Sequence, residues 1–372
     1  MGGRGAAGIT RDTGAVPWDI ETPAVVVDTT RLDRNLDRMQ AAAAAAGVAL
    51  RPHAKTHKCL EIGRRQLAHG AAGLTVATLA EAEAFAADGC PGVFIAYPLW
   101  AAAANRPARL AALRERTELR VGVDSAAAAE ALAAAVPGVR VLVEVDSGQH
   151  RSGVPVPQVA ALAAECQRLG LDVIGAFTHP GHSYAKPDPA VVAAAAADER
   201  TALAAAGAAL TGLPGWPAAR APVLSGGSTP TAEAGVAAPL TEVRPGTYVF
   251  GDRQQLALSG LSTDDIALVV AARVVSAPRP GEAVLDCGSK ALTSDRAAWL
   301  DGHGLILEAP GATVVALSEE HAVVAGLAVP LRVGDLVRVV PNHVCPVVNL
   351  ASELLTADGD RLTGRWRVTA RR

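Results

Sequence analysis

Between Val48 and about Leu258 the chain alternates short apolar runs with amphipathic, alanine-rich stretches. The apolar runs are Leu50–His53, Leu74–Ala77, Val93–Tyr97, Leu119–Asp124, Val139–Asp146, Val173–Phe177, Val223–Ser225, and Val243 with Tyr248–Phe250. Helical spacing fills several of the gaps, as in Leu79–Ala87, Ser125–Ala135 and Val159–Leu169. Strands that are apolar throughout and alternate with helices predict a parallel sheet covered on both faces, and eight of them predict a closed (β/α)8 TIM-type barrel. One further run, Thr22–Asp28, lies before the repeat, and Asp28 with Thr29 can cap a helix reaching about Ala46.

The texture changes after about Gly260. Helical stretches give way to short β-branched runs at Ala267–Val270, Arg273–Val275, Ala283–Leu285, Ala312–Val315, Ala322–Val324, Leu336–Val340 and Trp366–Val368, punctuated by Gly, Pro and Asp. That is the pattern of a mostly antiparallel β domain. The expected organisation is an N-terminal extension over residues 1–21, an opening strand and helix over 22–46, the barrel over 47–258 and a C-terminal β domain over 259–372. The opening strand, left out of the barrel repeat, is expected to pair with the β domain.

Composition narrows the setting. A net charge of -3 over 372 residues gives no electrostatic reason to expect nucleic acid or an anionic membrane as partner. No apolar run reaches the ~20 residues that a bilayer span needs. Met1 to Asp19 contain no apolar core of a secretory signal. Five scattered cysteines, an odd number, argue against a disulfide framework and for a reducing, cytoplasmic setting.

The chemistry starts at Arg51-Pro52-His53-Ala54-Lys55-Thr56-His57-Lys58. Pro52 has no N–H for a ladder, so the strand ends there, and Lys55 falls where an α/β barrel keeps its reactive groups. It is a candidate Schiff-base nucleophile; the alternative is a surface lysine in a basic loop. The seventh strand ends in Ser225-Gly226-Gly227-Ser228-Thr229, and the eighth leads through Arg244-Pro245-Gly246-Thr247-Tyr248. Adjacent glycines let backbone N–H groups approach an anion, hydroxyls add donors, and barrels often hold phosphate after strands seven and eight. A lysine on strand one facing such a cradle describes a pyridoxal phosphate site. The candidate cofactor-binding residues are Lys55, Arg151, Gly226, Gly227, Ser228, Thr229, Arg244, Gly246, Thr247 and Tyr248.

The run His53–Lys58, the Gly226–Thr229 turn and the segment Pro341-Asn342-His343-Val344-Cys345-Pro346-Val347-Val348-Asn349-Leu350 together resemble the D-threonine aldolase and D-serine dehydratase family. That family shares the alanine racemase-type fold, pyridoxal phosphate fold type III, and the likeness runs from Thr22 to Val368. By this resemblance Lys55 joins the cofactor, and Arg244 is similar to the arginine that faces the pyridine nitrogen in alanine racemases. His343 and Cys345 would bind a divalent metal, zinc or manganese. On a strand, residues two apart point to one face, and imidazole with thiolate suits zinc, at ~2.0 Å and ~2.3 Å. Without the resemblance, the same two residues read as packing. The aldolases tend to carry Asp where Cys345 stands and the dehydratases Cys.

Arg151 follows the fifth strand, where a cation for cofactor or substrate carboxylate is needed, or where it makes a structural ion pair. His53, His179 and Tyr184 are candidate acid or base groups, with His182 close by in the same loop. A metal beside the cofactor adds a Lewis acid for a hydroxyl on the substrate β-carbon. The leading reading is a lyase acting on small D-β-hydroxy-α-amino acids by retro-aldol cleavage to glycine and an aldehyde. A dehydratase giving keto acid and ammonia is the alternative, to which Cys345 points. A racemase and a non-catalytic cofactor carrier are further readings, and homodimers are usual in this fold.

Overall fold

The computed structural model describes residues 18–371. Residues 1–17 of the expected extension, and with them most of the stretch read for a secretory signal, lie outside the described residues. The chain opens with β1 (Ala24–Asp28). Asp28 then caps the helix Thr29–Ala45, accepting the Arg31 N–H at 2.9 Å. Leu32, Leu36, Met39 and Ala43 recur at helical spacing on that helix and are buried in the main core.

The barrel strands follow: β2 (Ala49–Leu50), β3 (Leu74–Val76), β4 (Gly92–Ile95), β5 (Glu118–Val123), β6 (Arg140–Glu144), β7 (Asp172–Phe177), β8 (Val223–Gly226) and β9 (Glu242–Val243). They form one parallel sheet in the order β2-β9-β8-β7-β6-β5-β4-β3. The circle closes where Ala72 N–H donates to Leu50 O at 2.8 Å, Thr75 N–H donates to Pro52 O at 2.9 Å, and His53 bridges Thr75. The expected eight-stranded barrel and following β domain are borne out. Two strand readings need correction. The regular part of the first strand is only Ala49–Leu50, because Pro52 has no N–H to give a neighbouring strand, although His53 N–H still donates to Pro245 O at 2.9 Å. The eighth ends at Val243, because Pro245 and Gly246 break it; Thr247–Val249 form a buried 3₁₀ turn instead of a strand.

Inside the barrel, Phe94, Leu142, Ile174 and Phe177 form their own packed cluster. The Phe94 and Phe177 rings meet edge to face with centroids 5.1 Å apart. Gly122 makes room for this plug, since a Cβ there would lie 2.5 Å from Phe177 Cζ.

The second module holds β10 (Leu268–Ser276), β11 (Glu282–Leu285), β12 (Leu305–Ile306), β13 (Thr313–Leu317), β14 (Ala322–Ala325), β15 (Leu336–Val340), β16 (Glu353–Asp358) and β17 (Arg361–Arg367). Its sheet runs β13-β14-β11-β10-β1-β16-β17, with β15 pairing β10 and β12. β1 lies antiparallel to β10, Val25 opposite Val270, and parallel to β16, Val27 opposite Thr356. The first strand of the chain is thus built into the last module, and its helix carries it straight into the barrel. Hydrogen bonds also stitch the seam near the barrel mouth: Arg253 N–H to Pro341 O at 3.0 Å, Gln254 N–H to Asn342 O at 3.2 Å, and Val344 N–H to Asp252 Oδ2 at 3.0 Å. Among the described residues no helix is long and apolar enough to cross a membrane.

Candidate active site

Arg51, buried beneath the mouth, donates through Nε to Glu242 Oε2 at 2.7 Å and through Nη1 to Gly92 O at 3.1 Å. This fixes the carboxyl end of β2 against β9. His53 then caps a single 3₁₀ turn, Ala54–Thr56, its Nδ1 accepting the Lys55 N–H at 3.4 Å. The two histidines that flank Lys55 in sequence part company here. His57 is wholly buried between Gln66 Oε1 at 3.1 Å and the backbone of Cys59, edge-on to Phe85, and has a packing role. Lys58, at φ +49°, donates to Asn349 Oδ1 at 2.7 Å and pairs with Glu81 at 3.4 Å. It therefore ties the lysine turn to the helix Val344–Leu350 that carries Cys345.

Lys55 is only half-buried, open toward the cleft. Burial lowers its pKa; the Cys345 charge pulls it back up, and Arg151 and Arg244 push it down. His53 is held well below the ordinary histidine pKa by burial and by the charges of Lys55 and Arg244. His179 is lowered in the same way, by burial, Lys55 and Arg151. Both imidazoles are therefore neutral near pH 7 and able to accept a proton. Tyr184, across the cleft, has its phenol pKa raised by burial and by Asp252, so it stays protonated. Gln255 Nε2 reaches its hydroxyl at 3.5 Å.

The turn after β8 places Gly227 at φ +86° and Ser228 at the N-cap of the short helix Thr229–Ala234. Ser228 and Thr231 cap each other: Thr231 N–H donates to Ser228 Oγ at 3.3 Å, and Ser228 N–H donates to Thr231 Oγ1 at 3.0 Å. The Gly227 N–H, expected to face an anion, donates instead to the buried Glu199 carboxylate. Gly246, beyond β9, lies against the turn that carries Lys55: a Cβ there would lie 2.7 Å from Thr56 Oγ1 and 3.3 Å from His53 O.

These groups fit a phosphorylated pyridine aldehyde. The hydroxyls of Thr229 and Thr247 are buried at the cradle without hydrogen-bond partners, as is Arg244 Nε. Buried polar groups are rarely left unpaired, and these three belong to the segments that follow the last two barrel strands, β8 and β9. The Arg244 guanidinium sits over Phe94 and Phe177, at 5.6 Å and 5.2 Å from their ring centroids, and donates to Thr178 O. Arg151 is exposed at the rim.

His343 and Cys345 do not lie on a strand. Pro341 ends β15, His343 becomes the N-cap of the helix Val344–Leu350, and Cys345 sits in its first turn. The two side chains still meet, because an N-cap side chain folds back over the first turn. Burial would lower the His343 pKa, but the Cys345 thiolate and the Asp295 carboxylate hold its imidazolium up, to about 11. Burial likewise pushes the Cys345 thiol up, while His343, then Lys55, bring it below the ordinary value. Asp295 Oδ2 accepts the His343 Nδ1–H at 2.7 Å, which leaves Nε2 as the nitrogen that could bind an ion. Cys345 Sγ also lies 3.3 Å from Thr56 Oγ1, next door to Lys55. Imidazole, low-pKa thiol and orienting carboxylate make a donor set suited to zinc. Among the described residues no group of three or more His, Cys, Asp or Glu side chains comes together that could hold a metal ion.

Three carboxylates here escape a motif reading. Asp252, buried, caps the helix Arg253–Leu258 at 2.9 Å from Gln255 N and also accepts Val344 N–H. Its Asp-x-x-Gln spacing is a capping signal. Glu199 falls in helical register with Val192, Ala195, Ala202 and Leu203 on a buried face, and that register marks it. Asp295 carries no local signal at all.

Family models match nearly all of this architecture. Residues 27–254 match the alanine racemase N-terminal domain and residues 267–357 the serine dehydratase domain. A D-threo-3-hydroxyaspartate dehydratase from Delftia sp. (strain HT23) is 35% identical over 91% of this chain and 95% of its own. A D-threonine aldolase from Arthrobacter sp. is 34% identical over 98% of this chain and 97% of its own. Among solved structures, a cysteine-to-alanine variant of D-threo-3-hydroxyaspartate dehydratase in the metal-free form superposes with a TM-score of 0.84 at 34% identity, covering 95% of this chain and 98% of that one. A histidine-to-alanine variant of the same dehydratase has also been solved, and the two replaced residues stand two positions apart.

Proposed function

Because the chain belongs to the family of pyridoxal phosphate-dependent lyases that join an alanine racemase N-terminal domain to a serine dehydratase domain, we propose that it removes water from a small D-β-hydroxy-α-amino acid with the help of a divalent metal, giving a keto acid and ammonia. The single observation that carries the choice of reaction is the His343–Cys345 pair with its thiol ligand. A cysteine-to-alanine variant of D-threo-3-hydroxyaspartate dehydratase has been solved in the metal-free form, and a histidine two residues away has been replaced as well. Similar length coverage and identity to D-threonine aldolase support retro-aldol cleavage as the second reading.

Bound pyridoxal phosphate would supply an electron sink at the α-carbon and the metal a Lewis acid at the β-oxygen. The chain's own groups divide the rest. Lys55, its pKa lowered, would be the amine that holds the aldehyde and the base that takes the substrate α-proton. Thr229, Thr247 and the Gly226–Gly227 turn would hold the phosphate, and Arg244, whose Nε–H is unpaired, would serve the ring nitrogen. A guanidinium keeps its proton, so that nitrogen would not be protonated by it. Arg151 at the rim pairs with the substrate carboxylate. His343 and Cys345 would hold the divalent ion, and neutral His53 and His179 would relay protons. In the retro-aldol reading the same neutral imidazoles would accept the β-hydroxyl proton.

The deciding assay gives the purified protein, with pyridoxal phosphate and zinc or manganese, D-serine, D-threonine and D-threo-3-hydroxyaspartate. Keto acid and ammonia without glycine are expected. Glycine and an aldehyde as the sole products would replace dehydration by aldol cleavage, and no product from any of the three would remove the lyase reading.

A further inference from the structure

Glu199 is a buried carboxylate that the proposed chemistry does not use. It lies in the middle of the helix Pro189–Thr211 on the face turned to the barrel, and only 3% of it is exposed. Its Oε1 accepts the Gly227 N–H, and it presses so closely on the preceding residue that a Cβ at Gly226 would sit 2.3 Å from the same oxygen. An anion thus already occupies the donor that the glycine turn offers. The charged groups facing it are Arg244, beyond the turn, and Arg200, on its own helix; Thr231 adds a hydroxyl from the helix above. A small cavity bordered by Arg200, Thr231 and Val243 opens beside it.

We propose that Glu199 is a positioning residue that competes with the cofactor phosphate for this turn, so that phosphate binding is linked to the uptake of one proton by Glu199. Ionised, the carboxylate holds Gly227 N–H and repels an incoming dianion. Protonated, it still supports the glycines through its carbonyl oxygen but no longer opposes the phosphate. The balance lies near neutrality, because burial raises its pKa to about 7 despite the Gly227 N–H and Arg244, which favour the charged form. A nearby dianion raises it further, and each pKa unit of that rise is about tenfold in affinity.

This inference rests on the pyridoxal phosphate reading and is tested so that the two can fail separately. Wild-type protein and Glu199→Gln are titrated with pyridoxal phosphate and with pyridoxal, which lacks the phosphate, from pH 6 to pH 9, following cofactor absorbance. The glutamine amide keeps an oxygen for Gly227 N–H and cannot ionise. The ratio of wild-type to variant affinity for pyridoxal phosphate should fall about tenfold across that range, while the same ratio for pyridoxal stays flat. Calorimetry of the wild type in two buffers of different ionisation enthalpy at pH 7.5 should show more proton uptake with pyridoxal phosphate than with pyridoxal, and this measurement stands even if the variant misfolds. Equal pH dependence in both proteins, or equal proton uptake with both ligands, overturns the role of Glu199 while leaving the cofactor site intact. Failure of the wild type to bind either aldehyde overturns this inference together with the cofactor reading.

Discussion

Removing the Asp295 carboxylate should weaken zinc binding without removing either ligand. The 2.7 Å contact from His343 Nδ1 to Asp295 Oδ2 fixes the ring so that Nε2 faces Cys345, and it makes that nitrogen a better donor. Loss of such a supporting partner typically costs ~10–100-fold in metal affinity, or about 1.4–2.7 kcal/mol. Asp295 is half exposed, with 51% of its side chain accessible against 32% for His343, so solvent screens the pair. The expectation for Asp295→Ala is therefore about a tenfold loss, at the lower end of that range. Asp295→Asn retains an oxygen that can accept from Nδ1 and should fall between wild type and alanine. Zinc affinity is measured by competition with a chromogenic chelator at fixed pH, with thermal unfolding as the control for folding. Unchanged affinity in Asp295→Ala, alongside lost binding in His343→Ala, would refute the orienting role. A loss as large as that of His343→Ala would make Asp295 a ligand instead.

Other consequences follow from the same geometry. Lys55→Ala should abolish the visible absorbance of the protein mixed with pyridoxal phosphate, whereas His343→Ala should keep that absorbance and lose turnover; full activity in the histidine variant would contradict the metal role. Arg151→Met removes a positive charge that, after burial, helps keep the Lys55 pKa down. Lys55 should then titrate higher, so the pH at which cofactor capture is half-maximal should move up; a shift down, or none, sinks the electrostatic account. Gly246→Ala puts a methyl 2.7 Å from Thr56 Oγ1 and 3.3 Å from His53 O. It should cost ~1–3 kcal/mol of stability in urea unfolding and weaken cofactor binding, because the wall it displaces carries Lys55.

The barrel was legible because its strands are buried on both faces and so read as unbroken Val, Ile and Leu runs, whatever the side chains between them do. Legibility fails at the strand ends, where chemistry sits. Pro52 announced that β2 stops, yet not that His53 would still bridge to Thr75 and close the circle. Tyr248–Phe250 are as apolar as any strand, and only the preceding Pro245-Gly246 break turns them into a 3₁₀ corner. Apolar pattern reports burial, and burial is shared by strand and turn alike.

His343 and Cys345 make the same point from the other side. Spacing of two on a strand and an N-cap with its first helical turn both bring His343 and Cys345 together, so the right neighbours follow from the wrong geometry. Their partners could not be reached this way. Lys55 and Cys345 are farther apart in sequence than the whole barrel is long, and what brings them together is two peptide hydrogen bonds to Pro341 and Asn342 and one from Val344 N–H to the Asp252 carboxylate, together with β1 lodged in the second sheet. The two peptide bonds leave no compositional trace, since a peptide group is the same at every position, and Asp252 shows in the sequence only as the cap of its own helix. Damage to the seam should therefore separate the two halves of the chemistry. A variant such as Asp252→Asn, which weakens the hold on Val344 N–H, is expected to bind pyridoxal phosphate on the barrel as wild type does while binding zinc more weakly. Equal loss of both ligands would mean that the two modules do not behave as separable halves of one site.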